Sequence, residues 1–345
     1  MKAPTIRLPA SARSLAVKAY LRALAASKRH VMIGPMRSEL GFEVLYWLPF
    51  LHWALKYAGI PTDRCTAISR GGMGVFYPAG KQVDLYDLRG VDAVRLENKA
   101  DDLQRGLMKQ TSVTAWDRQV CADAAAQLKV GKFAILHPSW MYWLFDHYWQ
   151  ERVGMRHIEQ HAHFSVPAIP NLPEGCELPP QFIAVRFYER HTLPLNPGTV
   201  PLIEAMVRQI AAHWPVVLLN QSVFADDHTD LPLGHIPNVF SLPAIPPSQN
   251  FILQAAVLAR SQAFVGTYGG VAQWALRYRK PSLSFYTDFK GTAVAHRSLS
   301  QHLSAAQGVP FEVCDMKALK LWQMSIPQMA LNSMRASSLA VTVTA

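Results

Sequence analysis

The chain has 345 residues, half of them hydrophobic and 17% charged, which excludes global disorder and gives about two domains of ordinary size. Lys and Arg total 34 against 24 Asp and Glu, a net charge of +10 that attracts nucleotides, anionic lipid and nucleic acid without choosing among them. The four cysteines, Cys65, Cys121, Cys176 and Cys314, lie far apart with no C-x-x-C pair, which fits a reduced cytosolic compartment.

No Asp or Glu precedes Glu39, whereas Lys2, Arg7, Arg13, Lys18, Arg22, Lys28, Arg29 and Arg37 all do. Val17, Tyr20, Leu21 and Leu24 recur at helical spacing with Lys18 and Arg22 on another face, so residues 1–29 read as a basic amphipathic helix. Such a helix caps the first domain with its stripe or rests on an anionic membrane surface. Packing is the expectation, since one short stripe binds membrane weakly without a second signal. The composition also suits an organellar transit peptide. The longest apolar run, residues 44–51, is broken by Pro49 and followed by His52, short of the ~20 residues that span a bilayer. A cytoplasmic protein, at most peripheral at the inner membrane, is expected.

A first α/β domain is expected over residues 30–165. It opens with a strand at 30–33, the loop Gly34-Pro-Met-Arg37, and an apolar helix from Ser38 to about Tyr57. A second strand at 65–69 closes on Arg70-Gly-Gly-Met-Gly74. Helices near 95–107 and 116–128 alternate with strands near 84–88 and 133–136, the signature of a parallel sheet. Glu39 and Glu43 share a helix face, and Glu43 sits among Phe42, Val44, Leu45, Tyr46 and Trp47, where a carboxylate has a raised pKa and can take a proton. Glu43, Glu39 and His137 are therefore the acid–base candidates; a helix-dipole or structural ion-pair role is the alternative for the two glutamates. Arg37 and Arg70, with Gly71 and Gly72, follow strands and either reach into a cleft or stand in solvated loops. The aromatic group Trp140, Tyr142, Trp143, Phe145, Tyr148 and Trp149 suits a wall for a sugar or lipid chain or, better, a core. His157, His161 and His163 are spaced for a metal but lack a completing Cys or carboxylate, so no metal is assigned.

Five prolines between Pro167 and Pro180 mark a linker over 166–180. A second alternating series then fills 181–315: strands at 182–187, 216–220 and 239–242, helices at 199–213 and 248–261 with Ser248 as N-cap, and later a helix at 292–305 and a strand at 311–314. A helix and tail are expected over 316–345. Within this half, Phe264-Val-Gly-Thr-Tyr-Gly-Gly-Val-Ala-Gln-Trp274 reads as a buried strand ending in a glycine turn that opens a helix, followed by a strand from Ser282. Unpaired N–H groups at such a helix N-terminus favour phosphate. Gly266, Gly269 and Gly270 do not make G-x-G-x-x-G, and no P-loop Lys-Ser/Thr follows.

The Val265-Gly-Thr-Tyr-Gly-Gly270 turn resembles the nucleotide-sugar turn in the C-terminal domain of GT-B glycosyltransferases, particularly the heptosyltransferase-like and polysaccharide-synthesis branches. The resemblance spans mainly 182–290; in the first half it extends only to the 34–47 loop and Ser69-Arg-Gly-Gly72. It implies two Rossmann-like parallel-sheet α/β domains facing across a cleft, the second holding a nucleotide-sugar donor and the first a glycan or lipid-linked acceptor. In that family a basic residue after the first strand of the second domain binds the donor diphosphate, which maps onto Arg186, with Arg190 second. Gly266, Thr267, Tyr268, Gly269 and Gly270 join the donor set. Asn220, with Gln221 and Ser222, ends a strand and suits base or ribose, while Asp226 and Asp227 suit a solvated loop. No D-x-D lies beside a strand, so metal-independent transfer without cofactor is expected, with Arg stabilising the leaving group. No nucleic-acid partner is expected. The rival readings are an epimerase or hydrolase on the same fold, and a membrane-associated nucleotide-binding scaffold.

Overall fold

The computed structural model describes residues 8–105, 110–190, 192–220, 228–288 and 293–318. The chain divides into two units. The first comprises Met1–Ser38 and Tyr46–Phe164, the second Glu39–Leu45 and Ser165–Ala345. The division falls at Phe164, just before the proline-rich segment, and assigns the seven residues after the Gly34–Ser38 loop to the second unit, which no sequence pattern announced.

In the first unit β1 (His30–Ile33), β2 (Cys65–Ser69), β3 (Lys81–Asp84) and β4 (Phe133–Leu136) form a parallel sheet in the order β3-β2-β1-β4. Val31, Met32, Ile33, Ala67 and Ile68 are fully buried, as expected of strands covered on both faces. The Ala10–Ala26 helix packs its Val17, Leu21 and Leu24 stripe against the Leu48–Ala58 and Ser139–Trp149 helices. Packing, the favoured sequence reading, is thus realised. The aromatic residues of 139–149 are largely core: Tyr142, Phe145 and Trp149 are buried around Tyr46. His161 uses both ring nitrogens, one toward the His157 carbonyl and the other toward the Ser14 hydroxyl at 2.6 Å, which ties it to the Ala10–Ala26 helix.

The strand expected near 84–88 is instead a short helix, Leu85–Arg89. Asp84 ends β3 and caps that helix, its carboxylate accepting from the N–H groups of Tyr86 at 2.9 Å and Gly72 at 2.7 Å. Local capping prevailed over the apolar signal of Leu85, Tyr86 and Leu88.

The second unit holds β5 (Ile183–Arg186), β7 (Val216–Leu218), β9 (Val239–Ser241), β10 (Ala263–Thr267), β11 (Ser282–Tyr286) and β12 (Phe311–Asp315), all parallel, in the order β12-β11-β10-β5-β7-β9. Counted within the unit this is the doubly wound 3-2-1-4-5-6 order, and the first unit shows its 3-2-1-4 part. Both units are Rossmann-like. A small antiparallel pair, β6 (Tyr188–Glu189) with β8 (Thr229–Asp230), escaped sequence reading because two residues carry no periodicity. Ser248 does not cap a helix; it lies in the 3-10 turn Pro247–Gln249, and the helix runs Asn250–Arg260.

The helix expected from Ser38 to Tyr57 is built as Leu40–Phe42, a π-segment Glu43–Trp47, and Leu48–Ala58. Pro49 has no N–H to give to a preceding carbonyl. The Val44 carbonyl instead accepts from the Arg277 guanidinium at 3.4 Å, and burial pushes Arg277 down to about 10.

Candidate functional site

In the second unit the strand order reverses between β5 and β10, so the helices that follow them leave on opposite faces, and the carboxyl ends of these two strands are where open sheets of this kind bind ligands. Arg186, the last residue of β5, pairs in register with Gly266 of β10. A Cβ on Gly266 would lie 2.1 Å from the Arg186 carbonyl oxygen, so this strand position admits only glycine. The arginine is almost fully buried. Its Nε donates to Asp230 Oδ1 at 3.0 Å, its Nη1 lies 3.5 Å from Gln254 Oε1, and its guanidinium stands 5.0 Å from the Tyr188 ring centroid. Asp230 is delivered by the β6–β8 pair, in which Tyr188 lies opposite it.

The glycine turn is braced from beneath. Thr267 Oγ1 accepts from the Tyr188 N–H at 3.0 Å and donates to the Tyr188 carbonyl at 3.2 Å, and the Tyr268 N–H bonds to Phe285 at 2.9 Å. The Gly270–Arg277 helix begins directly after, with Gly269 at its N-cap and no side-chain cap. No N-cap side chain therefore spends its first-turn amides or the positive end of its dipole. A Cβ on Gly270 would meet the Gly41 nitrogen at 2.7 Å and Leu40 Cβ at 2.9 Å, so the 39–45 segment lies against the start of this helix. Glu39 pairs with Arg190 beside it. Burial pushes the Tyr188 hydroxyl up, and the Tyr188 and His228 ring centroids stand 4.5 Å apart.

In the first unit the corresponding position, at the ends of β1 and β4, is filled with the chain's own side chains. Arg37 is fully buried; its guanidinium lies 2.7 Å from Asp101 and 3.5 Å from both Asp117 and Glu97, and 5.4 Å from the Trp116 ring centroid. Gln110 Oε1 accepts from the N–H groups of Arg37 at 2.9 Å and Ser38 at 3.1 Å, and its amide donates to the Pro35 carbonyl at 2.7 Å. His137 takes a hydrogen bond at Nδ1 from the Ser139 N–H at 3.1 Å, which puts its ring proton on Nε2, 3.3 Å from Asp117 Oδ2. Burial alone would raise the Asp117 carboxyl, but the His137 Nε2–H facing it and the Arg37 guanidinium outweigh burial and hold it down to about 2. Arg70, also buried, donates to the Ser38 carbonyl, and the Tyr142 hydroxyl bonds Ser38 Oγ at 2.6 Å.

No family model matches the chain, and no curated protein matches it. Among solved structures it is similar to the E. coli heptosyltransferase WaaC with ADP, at 14% identity over 83% of this chain and 92% of that one, with a TM-score of 0.40. It is also similar to the iron-containing dodecameric glycosyltransferase TibC of enterotoxigenic E. coli, at 12% identity over 75% and 58% of the two chains (TM-score 0.40). A third is the glycosyltransferase SnogD of Streptomyces nogalater, at 15% identity over 89% and 94% (TM-score 0.34).

The sequence-derived residues therefore fall into two groups. Arg186, Arg190, Gly266, Thr267, Tyr268, Gly269 and Gly270 stand with Glu39 in the second unit; Arg37, Arg70, Gly71, Gly72 and His137 stand in the first. Gly71 and Gly72 have φ of 62° and 83°, left-handed values that favour glycine, and Asp84 takes the Gly72 N–H. Glu43 is fully buried. β7 stops at Leu218, so Asn220 lies half-buried two residues beyond it and does not end a strand as expected, and Gln221, Ser222, Asp226, Asp227 and the tail from residue 319 lie outside the described residues. Sequence reading missed Asp230, Gln254 and Tyr188 in one unit and Asp101, Gln110 and Asp117 in the other. Asp117 had a signal: with Thr114 it forms a capping box at the start of the Ala115–Gln127 helix.

Proposed function

We propose that the protein is a GT-B-type glycosyltransferase that moves a sugar from a nucleotide-sugar donor to a hydroxyl of a glycan or lipid-linked acceptor, in polysaccharide assembly. The observation that carries this reading is the pairing of Arg186 with Gly266 at the strand-order reversal, directly beneath a helix N-terminus without a side-chain cap. An arginine and a helix start without a side-chain cap suit a diphosphate, and together they disperse the charge that develops on it as the sugar–phosphate bond breaks. No metal is required for that step.

Among Glu43, Glu39 and His137, a base must reach the acceptor proton. Glu43 and His137 are fully buried, whereas the Glu39 side chain is 35% exposed and sits on Arg190 in the donor-side unit. Glu39 is therefore our base: its carboxylate takes the acceptor hydroxyl proton as the oxygen attacks the anomeric carbon, and the electron pair of the breaking bond leaves on the diphosphate. Arg37, Arg70, Gly71 and Gly72 shape the loops of the acceptor-side unit.

The test is incubation of the chain with ADP-, UDP- and GDP-sugars, with and without glycan and lipid-linked acceptors, in the presence of chelator. Nucleotide release that requires an acceptor is expected. Acceptor-independent conversion would instead show an epimerase or hydrolase, and activity restored only by added magnesium or manganese would overturn the metal-free step.

A further inference from the structure

The Ala10–Ala26 helix spends one stripe on the core and leaves the opposite one in solvent. Ser11, Leu15, Ala19, Ala23 and Ala26 recur every three to four residues on the exposed face, with Leu15 66% exposed and Leu8, just before the helix, 44% exposed. A solvated helix face ordinarily carries charges of both signs. This one carries Arg22 and no acid, and no Asp or Glu occurs anywhere from residue 8 to residue 38.

Two further features flank the stripe. Half-buried aromatic rings border it on both sides: Tyr20 stacks on Trp140 at 4.1 Å, and Trp53 stacks on Tyr57 at 5.4 Å, with the Lys18 and Arg22 head groups 5.9 and 5.4 Å from the Tyr57 centroid. At its carboxyl end stand exposed Lys28 and Arg29, joined by exposed Lys132, because His30 pairs with Phe133 at the start of β1 and β4. Asp146 is held by Arg13 at 2.9 Å, and exposed Asp63 adjoins Arg64, a further cation whose guanidinium donates to the Leu24, Ala25 and Arg29 carbonyls at the helix end.

From this we propose that the outer face of the Ala10–Ala26 helix, with its Lys28, Arg29 and Lys132 end, docks on an anionic phospholipid bilayer. An apolar stripe with Trp and Tyr at its margins and Lys and Arg at its end matches the layering of a membrane interface, where amphipathic rings sit at headgroup level and cations meet acidic lipids. Nucleic acid would call for cations along the middle of the face, where alanine and leucine stand instead. The helix is pinned to its unit through His161 and Ser14, so it rests on the surface as a fixed element and does not insert alone. This inference is independent of the transfer reaction.

The experiment is co-sedimentation of the full chain with vesicles of phosphatidylglycerol and phosphatidylcholine in equal parts, and with phosphatidylcholine alone, at low and high salt. Binding to the anionic vesicles at low salt is expected, weakening with salt and near absent on phosphatidylcholine. Each cation at such a surface is worth roughly five-fold in affinity, so reversing Arg22, Lys28 and Arg29 together to Glu should cost on the order of 10²-fold or more. Leu15→Glu should also release the chain, and Leu15→Trp should strengthen binding; these positions are exposed, and unchanged melting temperatures would confirm folding. No binding to anionic vesicles, or binding indifferent to Leu15→Glu and to charge reversal, would overturn the proposal. Loss on charge reversal with Leu15→Glu unaffected would overturn the helix face as the docking surface.

Discussion

The two units place an arginine at the same topological position and treat it differently. In the first, Arg37 follows β1 at the reversal between β1 and β4 and is enclosed by Asp101, Asp117 and Glu97, while Gln110 occupies the amides of its loop. In the second, Arg186 ends β5 at the reversal between β5 and β10, beside a helix whose first amides have no side-chain cap. A crevice of this kind can be filled by the chain or kept for a ligand. The first unit fills it, fixing the loop that leads into Glu39; in the second Arg186 is paired with Asp230, and the helix start beside it, which has no side-chain cap, is the part we propose is kept for an anion.

The contrast is broken most forcefully at Arg37. Replacing it with Met leaves the Asp101 and Asp117 carboxylates buried without their cation, and loss of one partner of a buried pair costs about 3–5 kcal/mol. Chemical denaturation should show a loss of that size, and a change near zero would mean that the cluster is not ionic in the folded state. Acid should reveal the same cluster more gently. Asp117 is held near about 2, below its ordinary value, so it stabilises the fold above about pH 4 and that contribution fades as pH falls toward 2. Asp117→Asn should flatten the stability profile across this window, removing on the order of 2 kcal/mol of pH dependence; an unchanged profile would place the acid-sensitive group elsewhere. The smallest effect belongs to the second unit. Gly270→Ala pushes a methyl group into the backbone of the 39–45 segment and should destabilise by about 1–2 kcal/mol while weakening diphosphate binding. A neutral outcome in both assays would show that this close approach is not held in solution.

Most of the fold was legible because its strands are short, continuous apolar runs set between helical periods: β1, β2 and β4 fall where residue pattern puts them, as do β10 and β11. The glycine turn was legible for a different reason, since few residues fit beside the Arg186 carbonyl or the Gly41 backbone. The partners were not. Asp101 and Asp230 meet their arginines across 64 and 44 residues, respectively, through strand order and a two-residue ladder, and local sequence carries no trace of either. The departure of 39–45 to the second unit was likewise hidden, because a helix interrupted by a π-segment reads in sequence as one helix.

The central claim is that the Arg186 crevice is an anion site built for a diphosphate. Titration calorimetry of the intact chain and of Arg186→Ala with nucleoside diphosphates and the corresponding nucleosides tests it directly. The variant should lose about 1.5–3 kcal/mol of diphosphate affinity, roughly ten-fold to more than a hundred-fold, with nucleoside affinity almost unchanged. Equal losses for both ligands, or no diphosphate binding by the unaltered chain, would contradict the account.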